Sequence, residues 1–331
     1  MITLTIHEAR RLVESAMIAV SHTTSDAKVI ADHLIDCELR GLNYGGLARA
    51  IFIAEQIKAM SRQRRPIELL RESAISAQFD GGNQVGYLVA RHATEIAISK
   101  AQSSGISAVG ASKTWCTGMY SYYLEMVTKS GLVGMIAGSG GPFVAPFGGT
   151  DRKFCTNPIG FGFPSKGTPV IWDIGTSAIA HAEVLLSRRL GNPLPEGVAF
   201  DIDGSPTVDP GEALKGALAV WGGARGSGLA LSIQLLGMLA GQINSEELLA
   251  DCGFFILVID PELFGGAEDF CNRVSAFVAS VRKSRPMDSS IPVRIPFERS
   301  DADRKRRLAN GTIEVEELIV ETLRSVCSPN H

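Results

Sequence analysis

Four stretches of the sequence combine residue types that do chemistry. The first is Arg40-Gly41-Leu42-Asn43-Tyr44-Gly45-Gly46-Leu47-Ala48-Arg49, a glycine-rich turn followed at once by a fixed positive charge. Glycines permit backbone conformations that a Cβ resists, so the chain can turn sharply. A planar guanidinium at the mouth of such a turn suits a carboxylate ligand. The same pattern also fits an ordinary helix–turn–helix corner with a solvated arginine. The second stretch is Gly222-Gly223-Ala224-Arg225-Gly226-Ser227-Gly228. Repeated glycines ahead of an apolar helix expose backbone amides at a positive helix end, which suits a phosphate or pyrophosphate, with Arg225 adding a full charge. A close helix–strand packing corner would use the same glycines. The third is Asp173 with Thr176 and Ser177, where a carboxylate can hold ribose hydroxyls and the hydroxyls can contact phosphate or simply cap a helix. The fourth is Thr156-Asn157-Pro158, where proline forces Asn157 into extended or turn geometry.

Other chemistries have little support. The glycine stretch is neither GxGxxG nor a Walker A loop, so a dinucleotide bound here requires a fold other than Rossmann. Histidine is scarce, and no HExxH or Ser-His-Asp set is present. Six cysteines (Cys37, Cys116, Cys155, Cys252, Cys271, Cys327) form no CxxC pair, which points to reduced thiols in a cytoplasmic protein and to no metal site. With 331 residues, 45% hydrophobic, 20% charged and a net charge of -3, the chain can bury a sizeable core and offers no electrostatic case for nucleic acid or an anionic membrane. Two short basic runs, Arg62-Gln63-Arg64-Arg65 and Arg304-Lys305-Arg306-Arg307, read as solvated faces. The start, Met1-Ile2-Thr3-Leu4-Thr5, does not read as a signal peptide, and no apolar run reaches the roughly 18 residues that span a membrane.

The elements that must position these residues follow from periodicity and punctuation. Thr5 and Glu8 stand at capping-box spacing ahead of a helix carrying Leu12, Val13, Ala16 and Met17 on one face. Helical spacing recurs over residues 26–39 and from Arg49 through Ile53, Ile57 and Met60, giving a helical region to about residue 73. Strands are expected at 76–80, 105–110, 131–137, 159–163, 170–173 and 254–259. Helices are expected at 84–103, 122–128, from a cap at Thr176-Ser177 to about Leu190, from the glycine stretch through Leu239, and at 270–283, with closing helices after Pro296-Phe297-Glu298-Arg299. That order describes an α/β or α+β enzyme-like body.

Taken together and in order, these pieces resemble the malate/L-lactate dehydrogenase family that lacks a Rossmann fold. The resemblance covers nearly the whole chain. It rests on Arg40-Gly41 leading to Gly46-Leu47-Ala48-Arg49, Ala145-Pro146-Phe147-Gly148-Gly149, Thr156-Asn157-Pro158, Asp173 with Thr176-Ser177, Pro195-Glu196-Gly197, Asp209-Pro210, the 222–230 segment and Pro296-Phe297-Glu298-Arg299. It implies a non-Rossmann α/β (α+β) fold: a mixed, largely antiparallel cofactor-binding sheet domain over about 74–284, and a helical domain built from 1–73 with about 285–331. It further implies a homodimer, NADH or NADPH as cofactor with a lean to NAD, and a small 2-oxo, 2-hydroxy or cyclic 2-imino carboxylic acid as substrate. Arg49 matches the carboxylate-binding arginine, and Lys113, Thr114 and Thr156 fall beside the substrate. Ser139, Gly140, Asp173, Thr176, Ser177, Arg225, Gly226, Ser227 and Glu298 fall at cofactor positions.

The departures bear on mechanism. Where the family commonly reads Asp-Ser-His-Gly, this chain reads Asn43-Tyr44-Gly45-Gly46, so Gly45 occupies the position of the proton-donating histidine. Thr114 replaces a second histidine, and Glu183 stands where a basic residue is common. General acid catalysis typically contributes about 10²–10⁴-fold to ketone reduction. A protonated imine already carries its positive charge, so a 2-imino acid is the favoured expectation. The alternatives are a 2-oxo acid reduced with Tyr44 as acid, its pKa lowered by Lys113, or a nucleotide-binding member without turnover.

Overall fold

The computed structural model describes residues 1–59, 63–243 and 251–328. Met60, Arg62 and His331 lie outside the described residues. The two ends of the chain are joined first. Strand β1 (Ile2–Thr5) leads into α1 (Ile6–Ala19) through the expected capping box, in which the Glu8 amide donates to the Thr5 hydroxyl at 3.1 Å and the Thr5 amide donates to the Glu8 carboxylate at 2.8 Å. Next come α2 (Thr24–Leu39), a single 3-10 turn at Asn43–Gly45 and α3 (Leu47–Ala59). The residues expected to stay helical to about 73 do not: Glu68–Glu72 form an exposed strand, β2, at the edge of the main sheet.

From there strands and helices interleave. β3 (Ser76–Asp80), α4 (Gly86–Ser104) and β4 (Ile106–Thr114) make one βαβ unit, whose β3–β4 pair is parallel. Then follow α5 (Tyr120–Lys129), β5 (Val133–Ser139), β6 (Ile159–Phe163), β7 (Val170–Ile174) and α6 (His181–Leu190). A small hairpin of β8 (Ala199–Phe200) and β9 (Ala217–Leu218) carries α7 (Pro210–Lys215) between its strands. The chain continues through α8 (Ala224–Leu239), β10 (Cys252–Ile259) and α9 (Ala267–Arg282) to α10 (Glu298–Asn310), β11 (Thr312–Val315) and α11 (Glu317–Cys327). The main sheet has the order β2-β3-β4-β10-β5-β6-β7, and every neighbouring pair except β3–β4 is antiparallel. This mixed, largely antiparallel sheet is the expected non-Rossmann arrangement.

A helical body built from both termini packs beside the sheet. β11 pairs antiparallel with β1, from Ile2 against Val315 to Thr5 against Thr312. Ile313, Ile319, Val320 and Leu323 thereby enter one core with Val13, Met17, Ile30, Leu34, Leu47 and Ile51. A second core lies between the sheet and helices α4 and α5. There β6 presents Gly160 and Gly162 to α5, and an added Cβ would meet Leu124 at 2.8 and 3.2 Å respectively. Small residues at alternate positions therefore let the helix lie close on the strand. On the other side α8 buries Ala230, Ile233 and Gly237 but leaves Leu231, Leu235, Met238 and Leu239 exposed. Among the described residues no helix is long and apolar enough to cross a membrane.

Two buried polar devices fix the α2–α3 corner. Arg40, its side chain fully enclosed, bonds Asp36 at 2.6 Å and Glu125 of α5 at 2.8 Å; Arg304 of α10 meets the same two acids. Glu38, also buried, accepts the Leu47 amide at 2.7 Å and so caps α3. Residue 46 must be glycine here, because a Cβ would stand 2.2 Å from the Glu38 oxygen. Burial pushes the Glu38 carboxyl up to about 8, with the Leu47 amide opposing that rise. Its folded value thus exceeds the ordinary value of 4.5, so the folded protein holds the extra proton between about pH 4.5 and 8 and loses stability as pH rises through that window. Glu38→Gln keeps an oxygen for Leu47 and removes the titration. Its melting temperature is expected to gain on the parent as pH goes from 5 to 8; a difference that stays constant with pH would show that Glu38 does not carry this effect.

Candidate active site

A cavity of about 680 Å³ opens between the α2–α3 corner, the N-terminus of α5, the ends of β5 and β7, and the first turn of α6. Its size falls within the usual range for small-molecule sites. Tyr44, Gly45 and Arg49 line it from the corner, Ser139 and Thr156 from the strand ends, Asp173 and Ser177 from β7 and the loop after it. The fold therefore gathers residues that are more than a hundred positions apart in sequence.

Arg49 is the most constrained of them. Only 8% exposed, it sits on the first turn of α3 with its guanidinium 4.1 Å over the Phe52 ring, and it donates to the Cys116 sulfur. No carboxylate pairs with it among the described residues, and its Nη1 is buried without a hydrogen-bond partner. An enclosed cation with an orphaned donor is costly unless an anion completes it.

Asp173 lines the same cavity from the end of β7. It accepts the Ser121 amide at 2.8 Å, at the N-terminus of α5, where helix amides favour negative charge. Burial nevertheless pushes its carboxyl up to about 6, against the hydrogen bonds from Ser121 and Tyr120. Tyr44 is raised to about 12, first by burial and then by the charge of Glu183. Lys113 does not lower it: the Lys113 ammonium bonds Asp80 at 2.8 Å and does not line the cavity. Thr114 is likewise turned inward, donating to the Gln84 carbonyl at 3.2 Å. Neither residue lines this cavity.

The expected cofactor positions divide. Ser139 lines the cavity while its hydroxyl bonds Gln242 at 2.5 Å, and Gly140 lies beneath it against Cys155 and Cys252. Thr176 is buried with its hydroxyl on the Thr156 carbonyl, and Ser177 donates to the Ile179 carbonyl. Neither caps α6, which begins later, at His181. Arg225, Gly226 and Ser227 form the first turn of α8 rather than a free loop. Gly222 and Gly223 reach that turn with φ of 64° and 61°, no side chain caps it, and a Cβ at Gly226 would lie 1.6 Å from the Trp221 carbonyl oxygen. The uncapped amides and the exposed Arg225 fit a phosphate, and Trp221 joins this turn to the cavity wall. Glu298 is engaged elsewhere, bonding Arg282 at 2.6 Å and accepting the Ile295 amide, although its neighbours Phe297 and Arg299 line the cavity.

Some lining residues gave no signal in the sequence. Cys37, Cys116, Cys155 and Cys252 all border the cavity as free thiols, though their spacing suggested scatter. Cys37 stands behind Gly45, so a Cβ on residue 45 would meet its sulfur at 3.2 Å. His181 also lines the cavity against the Phe143 ring, and burial together with the Arg49 charge pushes it down to about 3. It is a neutral imidazole near pH 7.

The sequence profile of the malate/L-lactate dehydrogenase family matches residues 4–324. L-sulfolactate dehydrogenase of Methanocaldococcus jannaschii is 31% identical over 92% of this chain and 90% of its own. Ureidoglycolate dehydrogenase (NAD+) of Escherichia coli O157:H7 is 29% identical over 97% and 94%, and another relative, a (2R)-3-sulfolactate dehydrogenase, is named for NADP+. The solved structure of delta1-piperideine-2-carboxylate reductase from Pseudomonas syringae superposes with a TM-score of 0.86 at 26% identity, covering 98% of this chain and all of that one. From the βαβ unit within an antiparallel sheet to the arginine on α3, the protein belongs to the malate/L-lactate dehydrogenase family.

Proposed function

We propose that this protein is a NAD(P)H-dependent reductase of small 2-imino carboxylic acids, cyclic ones foremost. The observation that carries this reading is Arg49: a buried guanidinium with an orphaned Nη1 fits the carboxylate of a small acid. When bound, a reduced nicotinamide supplies the hydride. The residues of the cavity determine which acceptor suits it. Gly45 brings no acid, Tyr44 holds its proton up to about 12, His181 is neutral, and Asp173, at about 6, is mostly ionised at pH 7. Among the described residues no imidazolium is at hand, so a forming alkoxide would have to draw its proton from Tyr44 or from the protonated fraction of Asp173, whereas an iminium needs no such proton. The first turn of α8, with Arg225, Gly226 and Ser227, is our cofactor phosphate site. Asp173 and Ser177 belong in our reading to the reacting end, and we favour NAD on the resemblance alone, in which Glu183 replaces a commonly basic residue.

A second reading, a 2-oxo or 2-hydroxy acid dehydrogenase, is favoured by the sulfolactate and ureidoglycolate named in the relatives. A panel of cyclic imino acids and 2-oxo acids, run with NADH and NADPH, separates the two. Faster turnover of imino acids is expected, with Arg49→Lys raising KM about 100-fold or more through loss of bidentate pairing. Faster turnover of oxaloacetate or pyruvate would replace our reading with the second. Space near Gly45 gives a further check. Gly45→His alone drives a Cβ against Cys37, so Cys37→Ala is expected to recover most of the melting temperature that Gly45→His loses; equal melts for the single and double variants would remove that steric account.

The protein is further proposed to be a homodimer of two-domain subunits, divided near residues 73 and 285, in a reducing compartment such as the cytoplasm. Six unpaired cysteines support the compartment. The exposed stripe of Leu231, Leu235, Met238 and Leu239 supports the dimer, since a helix apolar on all faces is ordinarily covered. Leu235→Glu is expected to shift the protein from dimer to monomer in analytical ultracentrifugation. A parent that sediments as a monomer would dismiss the proposal.

A further inference from the structure

The cavity holds two charges of opposite sign that the fold keeps apart. Arg49 enters from α3 and Asp173 from β7, yet no ion pair joins them, and Arg49 has a buried nitrogen without a partner. Asp173 has no cationic partner among the described residues; its carboxylate is held by neutral donors, the Ser121 amide at 2.8 Å with the Tyr120 amide and the Ser121 hydroxyl beside it. Two uncompensated charges in a partly dry cavity are costly in the empty protein and strong in a complex that supplies both complements. A ligand with one negative and one positive end would satisfy them together, each through a charge-assisted hydrogen bond. A 2-iminium carboxylate is such a ligand, its iminium carbon bonded directly to its carboxylate carbon.

We propose that Asp173 is the specificity-determining anion of this site, its carboxylate accepting the N–H of a substrate iminium while Arg49 holds the substrate carboxylate. This rests on the 2-imino acid reading above. The raised carboxyl of Asp173, at about 6, is what an anion lacking its cation would show, and a bound iminium would bring it down. Pairing with Asp173 favours the protonated imine, the form that accepts hydride. No proton changes hands in that step: the hydride bonds to C2, the C=N π pair becomes the nitrogen lone pair, and the nitrogen keeps its hydrogen. Two other charges border the cavity. Glu183, half-buried, faces Tyr44, and Arg299 is exposed at the rim. Glu183 is the rival anion, so the test includes it.

The test measures binding calorimetrically in the presence of NADH, so that saturated acids cannot turn over. Two probes share a carboxylate and ring size: DL-proline, whose ring nitrogen is a cation, and pyrrole-2-carboxylate, whose ring N–H is uncharged. The parent is expected to bind proline about tenfold or more tightly than pyrrole-2-carboxylate, the usual scale for a hydrogen bond to a charged group. Asp173→Asn keeps an acceptor for Ser121 and is expected to bring the two affinities within about twofold, mainly by weakening proline. Arg49→Lys is expected to weaken both acids alike. Retention of the proline preference in Asp173→Asn, or its loss in Glu183→Gln instead, overturns the proposal. If Asp173→Asn does not fold, a parent that binds both probes equally overturns it as well. Should Arg49→Lys weaken neither probe, the carboxylate reading of Arg49 falls, and the proposal with it; an effect of Arg49→Lys without one of Asp173→Asn leaves that reading standing and removes only the role of Asp173.

Discussion

The enclosed guanidinium of Arg40 is the interaction on which the site depends. It ends α2, bonds Asp36 one turn back and Glu125 on α5, and lies 4.6 Å from the Phe297 ring ahead of α10. Arg304 closes the same set of charges from α10. Three elements distant in sequence are therefore held at one point. From that point two paths lead into the cavity. Along the chain, the turn after Arg40 delivers Tyr44, Gly45 and Arg49. Through α5, the helix that carries Glu125 presents the Ser121 amide to Asp173. Replacing such a buried network by apolar residues can be neutral in stability, whereas removing one partner leaves a bare charge. Its contribution here is one of placement: it sets the separation between the arginine and the aspartate.

Much of this arrangement was legible in residue patterns. The Thr5–Glu8 box, the paired glycines of the corner, and the apolar strand segments each reflect local chemistry, and each formed as expected. Arg49 was singled out by the resemblance, since its local pattern fits a solvated arginine as well, and only the fold shows it buried with a bare Nη1. The failures share a cause. Glu68–Glu72 is a strand only because β3 accepts it as an edge partner, and nothing local distinguishes it from a polar helix. Thr176 and Ser177 look like caps, yet their hydroxyls are taken by the Thr156 and Ile179 carbonyls, which only the folded chain brings near. Lys113 went to Asp80 for the same reason. The four cysteines of the cavity have no common spacing, because they arrive from four separate elements.

The electrostatics of the cavity follow from what burial does to each group. Low dielectric disfavours charge, so Tyr44 rises, His181 falls and Asp173 climbs toward neutrality. An imidazole in the cavity is thus no substitute for an acid, since His181 is enclosed beside a permanent cation. Volume shows a similar interdependence. Gly45 leaves space at the corner, and Cys37 occupies part of it from α2. The pair is one packing unit, in which a change at either position alters what the other can be.

The pairing of β1 with β11 has a consequence for the order in which the protein comes into being. The core beneath the α2–α3 corner includes Ile313, Ile319, Val320 and Leu323, and Arg304 closes the charge cluster around Arg40. None of these residues has emerged when the first three hundred are synthesised. The sheet can gather its strands through β10 while the chain grows, but the wall that carries Arg49 lacks its packing until the last helix arrives. A nascent or truncated chain would therefore own most of the main sheet and no finished cavity beside it.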